Sequence, residues 1–519
     1  MSSSLLSRGC SRPISPYTAE SPYQTRNWQF MRSIRGDLNK SMLRGFIFVL
    51  LVSIGVSYTV FRGSSQTSGF VVYGEYDFDF LGADVSAAGD VNGDAVDDYV
   101  IGSPKANNTG IVYVIYGKQG QSIDDLRLSS LDGTQGYRII GSTAWTGISV
   151  SLGDVNGDRL SDILFTSGTE GNWTTTVIYG QNGTRSDLQT SSLQRTDGFS
   201  LNGFGPLVHA ADINGDGTGD IIISDPERAV VNVLYGQSGN SRTDLQQTDL
   251  TTSLGFTLNG PSQFGHSVSS GDINHDNVND ILVGASGSLY VTSSTEPAEG
   301  QVSVDSGDVN GDGLVDVIAA TASSILVLFG QNAPQTSVLA WSDITGSTGY
   351  SLNVTASDDI KITSGDIDGD GTDDLIIGTT GTVYVMYGGK NASDLQLADL
   401  LPSQGIIISY EGADDQWFGY SVGSSDVNRD GVDDVIVGAA YGSPGKAFVI
   451  FGGSRGQDPL FFADSTTTTS SSSASSTDDS TTSPSTSQAA VSTQKGVTSG
   501  VMKYIPSLAV LVSAMMVMI

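Results

Sequence analysis

The chain has 519 residues, a formal net charge of −32, 65 glycines and a single cysteine. The acidic balance excludes nucleic acid and anionic lipid as main partners, and the lone Cys10 excludes a disulfide framework or cysteine-based zinc site further along the chain. Glycine together with Val, Ile, Thr and Tyr points instead to many short strands joined by turns.

Residues 1–44 form a basic tail with Arg8, Arg12, Arg26, Arg32, Arg35, Lys40 and Arg44. The apolar run 45–61, "GFIFVLLVSIGVSYTVF", follows and reads as a signal peptide or a signal anchor. If the true start is Met42, the tail is not translated and the run has the proportions of a signal peptide. In either case the bulk of the chain is expected outside the membrane it meets. The "RGD" at 35–37 lies before this run, so it reads as coincidence rather than an adhesive signal.

Between residues 68 and 455 one acidic segment recurs seven times, its first Asp residues 64, 58, 60, 36, 58 and 60 positions apart. A regular period of this size signals a repeat architecture. Each copy runs into an apolar strand. A second strand-like segment follows, such as "IVYVIYG" or "TVYVMYG". Most spacers hold a third, including "GYRIIG", "GFSLNG" and "GFTLNG". About four strands per repeat is the size of one propeller blade. Before the first acidic segment stands "GFVVYG" at 69–74, and the last repeat ends without its counterpart. The N-terminal strand is therefore expected to complete the last blade and close the ring, which removes free sheet edges. The short interval between the fourth and fifth segments lacks the third strand signal, so a reduced blade is expected there.

The acidic copies share D-x-[D/N]-x-D-x-x-x-D. The donor sets are Asp90, Asn92, Asp94, Asp98; Asp154, Asn156, Asp158, Asp162; Asp212, Asn214, Asp216, Asp220; and Asp272, Asn274, Asp276, Asp280. Three more are Asp308, Asn310, Asp312, Asp316; Asp366, Asp368, Asp370, Asp374; and Asp426, Asn428, Asp430, Asp434. Several hard oxygens converging on a tight loop favour Ca²⁺. An EF-hand would need Glu at loop position twelve, where these loops carry Ile101, Phe165, Ile223, Val283, Ala319, Ile377 and Val437. That reading fails.

From 69 to 453 the chain resembles the FG-GAP repeats of the integrin α-subunit N-terminal propeller. The "FG" element stands at Phe204-Gly205, Phe264-Gly265 and Phe418-Gly419 and more loosely as Phe80 and Gly82, with "GAP" variants at 102–104 and 224–226. The resemblance implies an all-β, seven-bladed propeller with disordered tails, up to seven Ca²⁺ ions, and binding of protein or glycan ligands on a cell surface or matrix. The family's glycine at loop position six is kept at Gly217, Gly313, Gly371 and Gly431, is Asn277 in one loop, and is replaced by Ala95 and Arg159 in two others. The Asp90 and Asp154 loops are therefore expected to bind most weakly.

Sequons at Asn107, Asn172, Asn182, Asn353 and Asn391 fit a surface glycoprotein. Residues 465–499 read as a Ser/Thr-rich stalk, and 500–519 as a hydrophobic GPI-attachment signal or membrane anchor. No enzyme is expected: His209, His266 and His275 fall in different repeats without a triad spacing. The expected role is adhesion or recognition by an extracellular, membrane-anchored protein. Alternatives are a polysaccharide-binding or enzyme-associated propeller and a coat protein without specific ligand. The cluster "YEGADDQWFGYS" at 410–421 is expected to be core.

Overall fold

A computed structural model describes residues 69–453 apart from 121–123, 286–287, 292–293, 298–301, 332–346, 355–359, 390–394, 398–399, 402 and 412–416, together with Thr59–Val60 and Leu460–Ala463. The expected basic tail, stalk and C-terminal apolar segment, and nearly all of the first apolar run, lie outside the described residues. Among the described residues no helix is long and apolar enough to cross a membrane.

Seven sheets, each with four antiparallel strands at its heart, form the blades of a β-propeller, numbered I to VII here in the order of their acidic loops. In blade I the strands run Val85–Gly89, Asp98–Ser103, Ile111–Ile115 and Gly136–Ile140, from innermost to outermost. The innermost strands of successive blades lie side by side all the way round, from blade VII back to blade I. Blade VII holds Phe418–Ser425, Asp434–Ala439 and Lys446–Ile450, and its outermost strand is Gly69–Tyr73. That strand pairs antiparallel with Lys446–Ile450, Gly69 opposite Ile450 and Tyr73 opposite Lys446. The two ends of the repeat array thus share one sheet, as the leftover strand signals require.

The second strand of each blade is the core element. Asp374–Thr379 and Asp434–Ala439 are buried at every position, as suits a strand covered on both faces. Side chains of one blade pack on the next: Val100, Val112 and Val114 of blade I meet Ile163 and Phe165 of blade II. The "FG" phenylalanines plug these interfaces, with Phe204, Phe264 and Phe418 at most 4% exposed. Gly419 that follows sits at φ +88, and a Cβ there would come within 2.5 Å of the Thr379 carbonyl oxygen, so only glycine fits. In blade I this slot is filled by Leu81, wholly buried, ahead of Gly82 at φ +82. Phe80 is displaced to the surface side, with Lys105 Nζ 3.6 Å from its ring centre. The looser assignment to Phe80 is corrected accordingly.

Two further departures from expectation are informative. Blade IV is not reduced in strand number: Ser267–Gly271, Asp280–Ala285, Ser288–Val291 and Ser294–Pro297 form four strands. Its outermost strand follows the third at once, and the long excursion between them is what the short interval omits. The cluster at 410–421 is core only in part. Tyr410 and Phe418 are buried, whereas Trp417 and Tyr420 are half-buried and pack with Tyr441 on the surface.

The long excursions in other blades carry a feature that strand signals alone did not announce. In "DLRLSSL", "DLQTSSL", "DLQQTDL" and "DLQLADL", a two-residue stretch adds a parallel strand to the outer edge of a neighbouring blade. In the first three of these segments the leading aspartate caps that edge. Asp125 Oδ1 accepts the Val71 amide at 3.0 Å, Asp187 Oδ1 the Arg138 amide at 2.9 Å, and Asp244 Oδ1 the Ser200 amide at 2.8 Å. Blade III gains no such strand, because blade IV has no excursion to donate one.

Candidate metal centre

The seven acidic loops connect the innermost strand of each blade to the second, so all lie on one face of the ring. Like charges crowded on a tight turn repel, and the backbone supplies the first compensation. In every loop the first-position carboxylate accepts the amides of positions five and six. For Asp366 these are Asp370 at 3.0 Å and Gly371 at 2.8 Å, for Asp154 they are Asp158 at 3.1 Å and Arg159 at 2.7 Å, and for Asp90 they are Asp94 at 3.2 Å and Ala95 at 2.7 Å. Asp212, Asp272, Asp308 and Asp426 do the same.

This geometry forces position six into the left-handed region in all seven loops, including Ala95 at φ 63, Arg159 at φ 72 and Asn277 at φ 65. The fifth-position carboxylates, Asp94, Asp158, Asp216, Asp276, Asp312, Asp370 and Asp430, are exposed and each accepts the amide two residues on.

The ninth-position residues differ. Asp98, Asp162, Asp220, Asp316, Asp374 and Asp434 are all 0% exposed; Asp280 is half-buried. Each of those six takes the amide that follows the third strand, from Gly117, Gly180, Gly236, Gly330, Gly388 and Gly452. The third-position amide group of Asn92, Asn156, Asn214, Asn274, Asn310 and Asn428 donates to the ninth-position carboxylate. Burial raises the ninth-position pKa values above the usual carboxylate range, and the other loop carboxylates add to the rise. Asp162, Asp374 and Asp434 are pushed up to about 8, Asp98 and Asp316 to about 7, and Asp220 upward as well.

A hard divalent cation fits this donor set, on two observations. Ligand oxygens of Asp366, Asp368 and Asp374 lie within 4.8 Å of one another, close enough to share one ion. In loop seven Asn428 Oδ1 and Asp434 Oδ2 are buried with no hydrogen-bond partner, and two buried acceptors left over in one loop call for a positive group. The loops also touch round the ring: the Asp373 and Asp433 amides donate to the carbonyls of Asp308 and Asp366 in the preceding loops.

The histidines are not gathered. His209 Nε2 lies 3.0 Å from Ser270 Oγ in the innermost layer, with burial lowering its pKa to about 4. His275 occupies an acidic loop at φ 60, and His266 follows the blade IV "FG" pair.

The acidic-loop repeats are also what comparison with known proteins finds. Residues 308–377 match the FG-GAP-like repeat, and 264–305 and 418–454 match the FG-GAP repeat. The chain is 28% identical over 237 residues to integrin alpha-8 of Gallus gallus, covering 41% of this chain and 20% of that protein. It is 28% identical over 257 residues to integrin alpha-8 of Homo sapiens, covering 44% and 21%. It is 30% identical over 234 residues to integrin alpha-5 of Xenopus laevis, covering 41% and 20%. The chain therefore spans about a fifth of the length of the curated relatives it matches. The chain thus carries FG-GAP repeats and folds as a seven-bladed propeller, and its similarity is to integrin α chains.

Proposed function

We propose that the chain is a Ca²⁺-binding cell-surface glycoprotein that recognises protein or glycan ligands in adhesion, without enzymatic activity, tethered by a terminal membrane or GPI anchor. The ions are held by the four donors of each acidic loop, up to seven in all, and serve to fix the ring. In a domain without disulfides they take the stapling role, because an ion that binds only the folded loop stabilises the fold by its binding free energy. The single observation that carries the metal assignment is the convergence of Asp366, Asp368 and Asp374. Likeness to integrin α chains supports ligand recognition.

The test immobilises the full chain, presents extracts of cell surfaces and matrix in Ca²⁺ and in chelator, and identifies what is retained. A protein or glycan held only in Ca²⁺ supports recognition. Retention of polysaccharide alone would favour the accessory reading. A Ca²⁺-dependent melting transition with nothing retained would leave a metal-stabilised ring and remove the adhesive role.

A further inference from the structure

A repeat protein carries its own control, because each position occurs several times and a residue that breaks the pattern stands out. Three such departures meet at the seam where blade VII joins blade I. The second residue of the second strand is Ile163, Ile221, Ile281, Val317, Leu375 or Val435 in six blades, but Tyr99 in blade I. After the aromatic-glycine pair that ends the third strand, other blades have Gln181, Gln237, Gln331, Gly389 or Gly453, whereas blade I has Lys118. The fourth position of the acidic loop is glycine in five blades and Arg429 in blade VII, held at φ 57. An arginine in that conformation is strained, and strained backbone concentrates at functional sites.

All three residues line one cavity of about 700 Å³, within the size range of small-ligand sites, roughly 300–1,000 Å³. Its apolar wall includes Phe70, Ile115 and Phe451. Tyr99 is 2% exposed, and its hydroxyl has no hydrogen-bond partner, an arrangement costly to keep unless something uses it. The turns that carry these two cations are pinned to one another by backbone contacts. The Lys118 amide donates to the Val427 carbonyl at 3.0 Å and the Gly120 amide to the Asn428 carbonyl at 2.8 Å, locking this turn against loop seven. The Arg429 guanidinium lies 3.5 Å from the Asp94 carbonyl oxygen. Among the described residues neither Lys118 nor Arg429 takes part in an ion pair, although the chain carries 56 acidic residues against 24 basic ones. Asp94 and Asp124 also reach the rim; Asp94 belongs to the first acidic loop, where a bound cation would cancel its charge.

We propose that this cavity binds a carboxylate carried on an apolar body, the chemistry of a peptide C-terminus whose last side chain is large and apolar. Lys118 and Arg429 meet the carboxylate, the apolar wall takes the side chain, and the Tyr99 hydroxyl offers a polar contact at the base. The site needs only the folded ring, so it stands or falls separately from the adhesive reading.

The experiment titrates the full, Ca²⁺-saturated chain with N-acetyl-phenylalanine, with its amide, and with glucuronate, by calorimetry. The acid should bind, and the amide and the polar acid should each bind at least roughly tenfold more weakly, one for want of charge and the other for want of an apolar body. A short peptide ending in free phenylalanine that binds tighter than N-acetyl-phenylalanine would assign the source to a chain terminus; equal affinity would assign it to a small free acid. Lys118→Gln and Arg429→Gly install residues that other blades already use, so the ring should fold, and each should weaken the acid roughly tenfold. Tyr99→Phe should weaken it roughly threefold. Equal affinity for acid and amide, unchanged affinity in the Lys118→Gln/Arg429→Gly double variant with normal melting, or no binding of the acid at millimolar concentration would each overturn the site.

Discussion

The second and sixth acidic loops share a backbone and differ in what they ask of an ion. In both, the first aspartate caps the same two amides, and in both the ninth carboxylate is buried and pushed up to about 8. Loop six adds a fourth carboxylate, Asp368, and glycine at position six, Gly371, while position four is glycine in both loops. Loop two has Asn156 instead. Its Nδ2 donates to Asp158 Oδ2 at 3.0 Å and to Asn240 Oδ1 at 2.9 Å, so a neutral donor already does part of a cation's work. Loop two also bends around Arg159 at φ 72. The turn geometry is thus shared despite the different donor charge: aspartate capping makes the loop in both, and under the proposed Ca²⁺ role charge count and strain would set how tightly each loop holds its ion.

The largest effect that would break this comparison is removal of the ions. Chelation should lower the melting temperature steeply, since each site saturated at about 100 times its dissociation constant is worth about 2.7 kcal/mol. Differential scanning calorimetry with and without chelator checks this, and unchanged melting would remove the stapling role. Next in size is Asp374→Ala. It removes the acceptor that holds the Asp368 and Gly388 amides at 3.2 and 2.8 Å and one of the two acceptors of the Ile367 amide, and should cost roughly 2–4 kcal/mol even in chelator. Asp158→Ala removes an exposed acceptor in loop two and should cost roughly 1 kcal/mol or less. Denaturant unfolding of the two variants gives the ratio; equal costs would mean that burial of the ninth carboxylate does not matter.

The comparison sharpens through affinity. Asp368→Asn gives loop six the donor set of its neighbours and should weaken its ion roughly tenfold. Arg159→Gly relieves a left-handed arginine worth roughly 1 kcal/mol and should strengthen loop two. Calcium titrations of wild type and both variants would show one class of site moving down and another up. No change in either would contradict the expected ranking of the Asp90 and Asp154 loops as weakest.

Much of this was legible before any coordinates. The seven D-x-[D/N]-x-D-x-x-x-D segments mark the loops because a turn that caps its own amides with aspartate needs those residues at that spacing, and the unpaired "GFVVYG" foretold closure of the ring. Three things were less visible. The blade IV outer strand, Ser294–Pro297, is built from polar residues with no apolar alternation to announce it. The slot taken by Leu81 was masked by the adjacent Phe80, because only burial tells which side chain points inward. The outer-rim strands are two residues long, below any periodicity signal, although the recurrence of "DLR" and "DLQ" at a constant place in the repeat was there to be read.

Those rim strands supply a control outside both loops. Asp187→Ala loses the cap on the Arg138 amide at 2.9 Å and an exposed contact to the Arg138 side chain at 3.4 Å. It should cost roughly 1 kcal/mol in denaturant unfolding and leave calcium titrations unchanged. A shift in ion affinity would mean that the rim and the loop face are mechanically coupled, and the contrast between the loops could no longer be argued loop by loop.

The smallest effect separates burial from convergence of charge. Asp305, in the innermost strand Ser303–Gly307, is pushed up to about 6, chiefly by burial. Its Oδ1 accepts the Ser269 hydroxyl at 2.9 Å and its Oδ2 the Ser364 hydroxyl at 3.4 Å. Because the folded value lies above the ordinary 3.8, the folded state holds this proton more tightly than the unfolded chain. The resulting stability is fully present below about pH 4 and is lost as pH rises through about 6. Serine hydroxyls can rotate to suit an amide, so Asp305→Asn should match wild type near pH 4 and exceed it by no more than roughly 1 kcal/mol at pH 7.5, in saturating Ca²⁺. Melting curves across that range decide it. A variant less stable at pH 7.5 would mean that the Asp305 charge is used, and that isolated buried carboxylates in this ring obey the same rule as the metal loops.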